Sequence, residues 1–174
     1  MLTVVQRVKD ARVDIHGQTV GKINHGLLIL CGFEPNDALE NIHRMLDKII
    51  NYRIFEDSNG KMNLSLKDVN GGLLLVPQFT LLADTQKGLR PSFSNAAPPE
   101  LGRQLFDNLL TLAQQRYPNT QNGCLVLTCK SICVMMVQSP FCCSFKPSSC
   151  IKILFIFQSP FTSLQELQTG VTSS

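Results

Sequence analysis

Apolar runs in the first 33 residues predict β-strands joined by a hairpin. TVVQRV (3–8), RVDI (12–15) and QTVGKI (18–23) are rich in β-branched residues, and His16-Gly17 separates the last two. Such a pair between strand-like runs is typical of a turn. GLLILCGF (26–33) is almost continuously apolar and glycine-bounded, which indicates a strand covered on both faces. We therefore expect this strand to be central in its sheet.

Two later segments have the apolar spacing of amphipathic helices. In residues 35–53, Asp37 and Glu40 have capping-box spacing. One face of this segment would carry Leu39, Ile42, Met45, Leu46, Ile49 and Ile50. The second helix is predicted to begin at Pro98-Pro99-Glu100 and to end at Tyr117-Pro118. Its apolar face would carry Leu101, Leu105, Leu109 and Leu112.

Further strands are predicted between the helices. RIFED (53–57) and MNLSL (62–66) flank an Asn-Gly pair, which predicts a hairpin. GGLLLVPQFTLLA (71–83) predicts a long buried strand interrupted by Pro77, and proline belongs at an edge, a bulge or a strand end because it cannot donate to the ladder. The order of elements predicts an α+β domain of two similar β-β-α-β halves, with antiparallel and mixed sheets and two amphipathic helices.

Composition changes sharply near residue 124. Residues 1–123 carry 13 Lys and Arg against 12 Asp and Glu and one cysteine, Cys31. Residues 124–174 carry only four charged residues but six cysteines. A shift of this kind marks a domain boundary or a segment of different origin. The net charge of +3 does not by itself indicate a nucleic-acid partner.

The N-terminal segment predicts a cytoplasmic protein. Arg7 and Lys9 interrupt it, and it contains no apolar core of signal-peptide length. The longest apolar stretch near the end, 153–157, is too short to span a bilayer. We therefore expect no membrane anchor.

The cysteine-rich segment 122–145 raises two chemical alternatives. Cys129 and Cys133 have a spacing compatible with zinc, but the adjacent Cys142-Cys143 and Cys150 make a poor second pair. A disulfide framework conflicts with a cytoplasmic setting. We therefore expect no metal and no cofactor, and we keep zinc as the less favoured alternative.

Four separate motifs agree in order and spacing with one family. VQRV (5–8), RIFED with GKMNLSL (53–66), PQFTLLADT (77–85) and KGLRPSFSNAAPPE (87–100) resemble the D-aminoacyl-tRNA deacylases. The resemblance runs from residue 1 to about 123. The family usually has Ser-Gln-Phe-Thr where this chain has Pro77 before Gln-Phe-Thr. A related branch carries Pro-Gln there, so we expect Pro77 to alter specificity rather than abolish the site.

The resemblance implies hydrolysis of the ester joining a D-amino acid, or glycine, to the terminal ribose of tRNA. It also implies a homodimer whose site is completed across the interface. The implied catalytic residues are Gln78, Phe79 and Thr80, and the implied substrate-binding residues are Arg7, Pro77, Lys87 and Arg90.

Thr80 is assigned a positioning or oxyanion role rather than a covalent one. No histidine lies near it in sequence to activate the hydroxyl, and main-chain N–H groups around 78–80 are the expected oxyanion donors.

Each implied residue has a simpler structural explanation. Gln78 and Thr80 could be strand residues that satisfy local hydrogen bonds, and Arg7 could face solvent. Lys87 and Arg90 could belong to a solvated loop as readily as contact phosphate. The three histidines show no metal or triad spacing.

The family's second signature is missing from the sequence as written. It consists of Phe-Gly-Ala-x-Met-Gln-Val followed by Asn-x-Gly-Pro-Val-Thr. In the family the Gly-Pro pair reaches into the partner subunit's pocket, where its carbonyls exclude L-amino acids by steric clash.

The genetic code recovers this signature when the codons after residue 123 are shifted by one nucleotide. Met135-Met136 can only be ATG-ATG, which with the GT of the next valine forces Asp-Gly in the shifted frame. The degenerate bases permit the rest of both motifs, and the Gly-Pro pair falls at Val137 and Gln138. We therefore interpret 1–123 as an incomplete deacylase domain and 124–174 as an out-of-frame tail replacing its last strands. An inactive remnant of the family is the alternative function.

Overall fold

The computed structural model describes residues 1–84 and 89–123, together with the backbone of two later strands. The strands in chain order are β1 (Leu2–Ile15), β2 (Gln18–Ile23), β3 (Gly26–Gly32), β4 (Phe55–Glu56), β5 (Met62–Leu64), β6 (Gly72–Pro77), β7 (Thr120–Asn122), β8 (Ile132–Gln138) and β9 (Lys152–Leu154). The helices are α1 (Leu39–Asn51), a 3-10 turn (Phe79–Leu82) and α2 (Pro99–Arg116).

The main sheet is mixed, with the path β2-β1-β3-β6-β7. β1 pairs antiparallel with β2 and β3, while β3, β6 and β7 are parallel to one another. β3 thus lies inside the sheet, which confirms its predicted central place. The predicted hairpin turn between β1 and β2 is also confirmed, because His16 and Gly17 both have left-handed backbone angles, with φ of 50° and 79°.

Both faces of the β3–β6 pair are buried, which explains their continuous apolar sequences. One face packs against α1 and α2 through residues that include Leu27, Ile29, Leu73 and Leu75. The other face packs against the far half of β1 and against β2 through Val8, Val13, Ile23, Leu28, Leu74 and Val76. The result is an α+β domain with a mixed sheet and two helices, as predicted.

The predicted buried face of α1 is confirmed, but the predicted cap at its N-terminus is wrong. Ile42, Met45, Leu46, Ile49 and Ile50 are buried on α1. Leu39 is 51% exposed, because it stands at the first turn, outside the packed face. The predicted capping box is absent: the N-cap residue is Ala38, and the Asp37 carboxylate instead accepts hydrogen bonds from Met1 and Glu34.

The second helix and the small hairpin follow the predictions closely. Leu105 and Leu109 are buried on α2, and Phe106 and Ala113 join them. Leu101 and Leu112 pack at the margin of the same core. β4 and β5 form the predicted antiparallel hairpin, and Gly60 supplies its left-handed turn residue with φ of 71°.

The predicted strand 71–83 is shorter than expected. β6 ends at Pro77, and the chain continues as the 3-10 turn rather than as extended backbone. Pro77 therefore lies at a strand end, one of its three predicted places. The expectation that Gln78 and Thr80 stand inside a strand is wrong.

The tail contributes two strands to the main sheet. β8 pairs antiparallel with the far half of β1, and β9 pairs parallel with its first residues. The physical reason is that the edge of β1 would otherwise present unpaired N–H and C=O groups. The apolar, partly β-branched segment 132–138 can satisfy them. No helix in the described part of the chain combines the length and apolarity that crossing a bilayer requires.

Candidate active site

The strands β3 and β6 end side by side, and their ends create the site. Cys31 lies opposite Pro77 in the parallel pairing. The next N–H, that of Gln78, donates to the Cys31 carbonyl at 2.7 Å. Because the chain then turns into the 3-10 helix, the side chains after Pro77 leave the plane of the sheet. In open sheets with parallel strands, ligands bind outside the carboxyl ends of the strands.

A cavity of about 450 Å³ opens at these strand ends. Cys31 and Phe33 line it from β3 and the following residue, and Pro77, Gln78 and Phe79 line it from the end of β6. The rest of its lining comes from the segment 93–99 and from Gly102 on α2. Its surface is mainly apolar with a few polar groups, as is common for small-molecule sites.

Two phenylalanines stand at the mouth of the cavity. The rings of Phe79 and Phe93 meet at 62° with centroids 5.5 Å apart. They remain 47% and 40% exposed. Phe93 is brought there by a bridge between Asp84 and Ser92, whose backbone hydrogen bonds measure 2.7 and 2.9 Å. The pair therefore offers an exposed aromatic surface beside the Gln-Phe-Thr motif.

Gln78 and Thr80 interact directly. The side-chain amide Nε2 of Gln78 donates to the hydroxyl Oγ1 of Thr80. Thr80 is half-buried beside the cavity rather than part of its lining. The N–H groups of Phe79 and Thr80 begin the 3-10 turn, where the turn itself provides no acceptor for them. The Gln78 N–H already donates to the Cys31 carbonyl. Of the main-chain N–H groups expected as oxyanion donors, those of residues 79 and 80 are therefore left.

Arg7 lies away from these residues. Its side chain is buried, donates from Nη1 to the Ile54 carbonyl at 2.9 Å, and forms an ion pair with Glu56 at 3.2 Å. Arg7 lies opposite Leu27, four positions along β3 from Cys31, which corresponds to about 13 Å along a strand. Arg7 is thus not solvent-facing, and it supports the start of the β4 hairpin within the chain. Its substrate-binding role stays a prediction.

The remaining predicted residues are only partly placed. Arg90 is exposed in the bend before Ser92. Lys87 lies outside the described residues. Val137 and Gln138 belong to β8, with their backbones opposite Asp10 and Val8 of β1. Of the predicted site residues, those that the structure brings together at the end of β6 are Pro77, Gln78, Phe79 and Thr80.

Several cavity residues were not foreseen from the sequence. Cys31, Phe33 and Phe93 had no motif chemistry to single them out, although Cys31 lies near the end of a central strand and Phe93 stands within one of the quoted motifs. Burial raises the pKa of the Cys31 thiol to about 12, so it stays neutral and non-nucleophilic near pH 7. Within the described ranges, no group of three or more His, Cys, Asp or Glu could hold a metal ion.

The sequence matches known proteins over most of its length. Residues 4–130 match the family described as D-Tyr-tRNA(Tyr) deacylase. The D-aminoacyl-tRNA deacylase of Legionella pneumophila (strain Lens) is 87% identical over 124 residues, 71% of this chain and 86% of that protein. The D-aminoacyl-tRNA deacylase of Pseudomonas fluorescens (strain SBW25) is 56% identical over 123 residues, 71% of this chain and 85% of that protein.

Two solved structures are also similar. One, described as a c-Myc DNA Unwinding Element Binding Protein, has a TM-score of 0.70 at 30% identity and covers 78% of this chain and 90% of that chain. A second, described as a probable eukaryotic D-amino acid tRNA deacylase, has a TM-score of 0.65 at 12% identity and covers 77% of this chain and 91% of that chain. At that identity the second likeness shows a shared fold.

Proposed function

The chain belongs to the D-aminoacyl-tRNA deacylase family, and from this premise we propose that the cavity between Cys31, Pro77 and Phe93 is its site of ester hydrolysis. The protein is an aminoacyl-tRNA ester hydrolase by family. The single observation that carries the location is the cavity at the ends of β3 and β6, which is lined by Pro77, Gln78 and Phe79. The remaining steps assign roles to its residues.

The reaction needs little beyond positioning and charge stabilisation. Water adds to the carbonyl carbon of the ester, and the bond to the ribose oxygen then breaks. The products are a free D-amino acid and a tRNA whose terminal ribose hydroxyl has regained its proton. An aminoacyl ester is already activated, so a protein that holds it and stabilises the developing oxyanion accelerates this hydrolysis.

We assign the oxyanion-stabilising role to Thr80 together with the N–H groups at residues 79 and 80. A hydroxyl that accepts a hydrogen bond from Gln78 can direct its own proton toward a substrate oxygen. No histidine contacts Thr80 among the described hydrogen bonds, so nothing there would activate it as a nucleophile. Gln78 is a positioning residue in this scheme, because it fixes the hydroxyl rather than touching the reacting atoms.

The apolar residues hold the substrate. Phe79 and Phe93 provide aromatic contact area at the mouth of the cavity. Pro77 adds a ring without a hydroxyl, so its side chain can contact the substrate only through apolar surface. Arg90, exposed in the same loop as Phe93, is in a position to contact the tRNA backbone.

We further propose that this protein acts as a cytoplasmic homodimer. The exposed Phe79 and Phe93 form an apolar margin at the cavity that a second copy would cover. The cytoplasm is where aminoacyl-tRNA is used, and it suits a buried free thiol such as Cys31.

The second candidate function is an inactive or indiscriminate remnant, and it rests on the change in composition after residue 123. Similarity to the two bacterial deacylases extends over 124 and 123 residues, 71% of the chain in each case, and the family match ends at residue 130. We propose that residues 124–174 are translated out of frame, so that Val137 and Gln138 replace the Gly-Pro pair that rejects L-amino acids.

One comparison tests both candidates. The protein as written and a version with the reading frame restored after codon 123 are each assayed on D- and L-aminoacyl-tRNA. We expect D-selective hydrolysis only from the restored protein, because steric exclusion of the L-isomer needs the Gly-Pro carbonyls. Strong D-selective activity in the protein as written would refute the remnant hypothesis. Inactivity of both would refute the proposed site.

A further inference from the structure

The α-ammonium group of Met1 lies at the loop between β3 and α1, where it pairs with two carboxylates. The Met1 residue is 5% exposed and packs into the helix-side core. Its α-ammonium group donates to the Glu34 carboxylate and to Oδ1 of Asp37, the latter at 2.7 Å. The Asp37 side chain is only 6% exposed, whereas that of Glu34 is 45% exposed. The ammonium group and Asp37 therefore form a buried ion pair.

This ion pair orders the loop between β3 and α1. The second oxygen of Asp37 accepts the Glu34 N–H at 2.7 Å, and the Asp37 N–H donates to the Glu34 carbonyl at 3.1 Å. The carboxylate is thus fully engaged by Met1 and by its own loop. A charged group this deeply buried is strongly unfavourable without its partner, so loss of the ammonium would leave Asp37 with an uncompensated charge.

The ordered loop is continuous with the lining of the cavity. Phe33 precedes Glu34 directly and lines the cavity. The Phe33 carbonyl accepts the N–H of Ala97 at 2.8 Å, and Ala97 lines the cavity as well. Two residues later α2 begins at Pro99, which contributes to the same lining. Direct contacts therefore connect the Met1 ammonium group, through Glu34 and Phe33, to Ala97. Ala97 lines the cavity just before α2 begins.

We infer that an unblocked α-amino group on Met1 is a positioning group for the cavity, so that acylation or extension of this amine opens the contact between Phe33 and Ala97. A formyl or acetyl group removes the positive charge. An added residue moves the charge away from Asp37 and places a peptide bond between two carboxylates. The inference concerns the geometry of the cavity and does not depend on the reaction proposed for it.

The test is a double-mutant cycle on the full chain. One protein is released from a fusion so that Met1 carries the free amine, and a second retains Gly-Ser before Met1. Each is also made with Glu34→Gln and Asp37→Asn. We expect the extension to lower Tm by about 6–12 °C in the original background and by less than half as much in the neutralised one, since the ion pair is already gone there.

A local measurement accompanies the cycle. The backbone amide resonance of Ala97 is compared between the free and the extended protein, with Gly72 as the control. The Gly72 N–H donates to the His25 carbonyl at the opposite end of the sheet, and it should not move. We expect a shift at Ala97 alone. An equal loss of Tm in both backgrounds, no loss at all, or an unchanged Ala97 resonance would each overturn the inference. If the double variant does not fold, the cycle is repeated with Asp37→Asn alone.

Discussion

The side-chain amide of Gln78 donates a hydrogen bond to the hydroxyl of Thr80, two residues further along the chain. The contact exists because β6 ends at Pro77 and the backbone turns at Gln78, with φ of −144° and ψ of 88°. In a continued strand, residues 78 and 80 would lie on the same face about 7 Å apart, too far for this bond. The end of the strand thus creates the polar pair.

Replacing Thr80 tests whether its hydroxyl acts as a donor. In the frame-restored protein we expect Thr80→Val to lower kcat by about 10²–10³, the usual cost of losing one oxyanion donor. Thr80→Ser should retain most of the activity because it keeps the hydroxyl. Single-turnover assays on D-aminoacyl-tRNA measure the rates of both Thr80 variants. Thr111→Val is the control, since the Thr111 hydroxyl donates to the Asp107 carbonyl on an exposed helix face. A Thr80→Val variant of normal rate would exclude this role.

Phe93 should contribute binding rather than chemistry. We expect Phe93→Ala to raise KM about three- to tenfold with kcat little changed, because the edge-to-face contact with Phe79 and the apolar area it offers are lost. The KM of Phe93→Leu should lie between that of the unaltered protein and that of Phe93→Ala. Leu89→Ala is the matched control, because Leu89 lies in the same loop and is fully exposed. A fall in kcat at constant KM would contradict the assignment.

The buried thiol of Cys31 predicts a loss of stability at alkaline pH. Its pKa is raised by burial from 9.0 to about 12, so the folded state holds a proton that the unfolded state releases. The stabilisation is fully present below pH 9 and declines as the pH rises toward 12, by about 1.4 kcal/mol per pH unit.

Chemical denaturation of the protein and of Cys31→Ala between pH 8 and 11 gives the measurement. Burial also raises the pKa of Tyr117, and taking the difference between the two proteins removes that contribution. The difference in free energy of unfolding between the protein and Cys31→Ala should shrink steadily above pH 9. A difference independent of pH would show that the thiol is not shielded from water.

Gly26 should tolerate no side chain. A Cβ at this position would lie 2.0 Å from the Gly72 carbonyl oxygen, in the backbone of the paired strand. We expect Gly26→Ala to destabilise the protein by at least about 3 kcal/mol, since β3 and β6 would have to separate. Gly102→Ala is the control: nothing lies within 4 Å there, and alanine should stabilise α2 by about 0.5–1 kcal/mol. Equal stabilities of the two variants, measured by urea unfolding, would contradict the close packing.

The sequence by itself determined the secondary structure where burial of one or both faces imposed an apolar pattern. The apolar runs of β3 and β6, the turn at His16-Gly17 and the buried face of α1 all follow from local periodicity and turn chemistry, which depend on near neighbours only. The motif at 77–80 also indicated part of the cavity lining, because Pro77, Gln78 and Phe79 are adjacent in sequence.

Tertiary structure decided what depends on residues far apart in the chain. Asp37 has the spacing of a capping residue, yet its carboxylate pairs with the Met1 ammonium group and accepts the N–H of Glu34 instead of capping α1. Phe93 reaches Phe79 only through the bridge of Asp84 to Ser92. The Gln78 N–H likewise finds its acceptor in the carbonyl of Cys31, 47 positions earlier. Local pattern cannot specify such contacts, because their energy comes from partners that only the folded chain brings together.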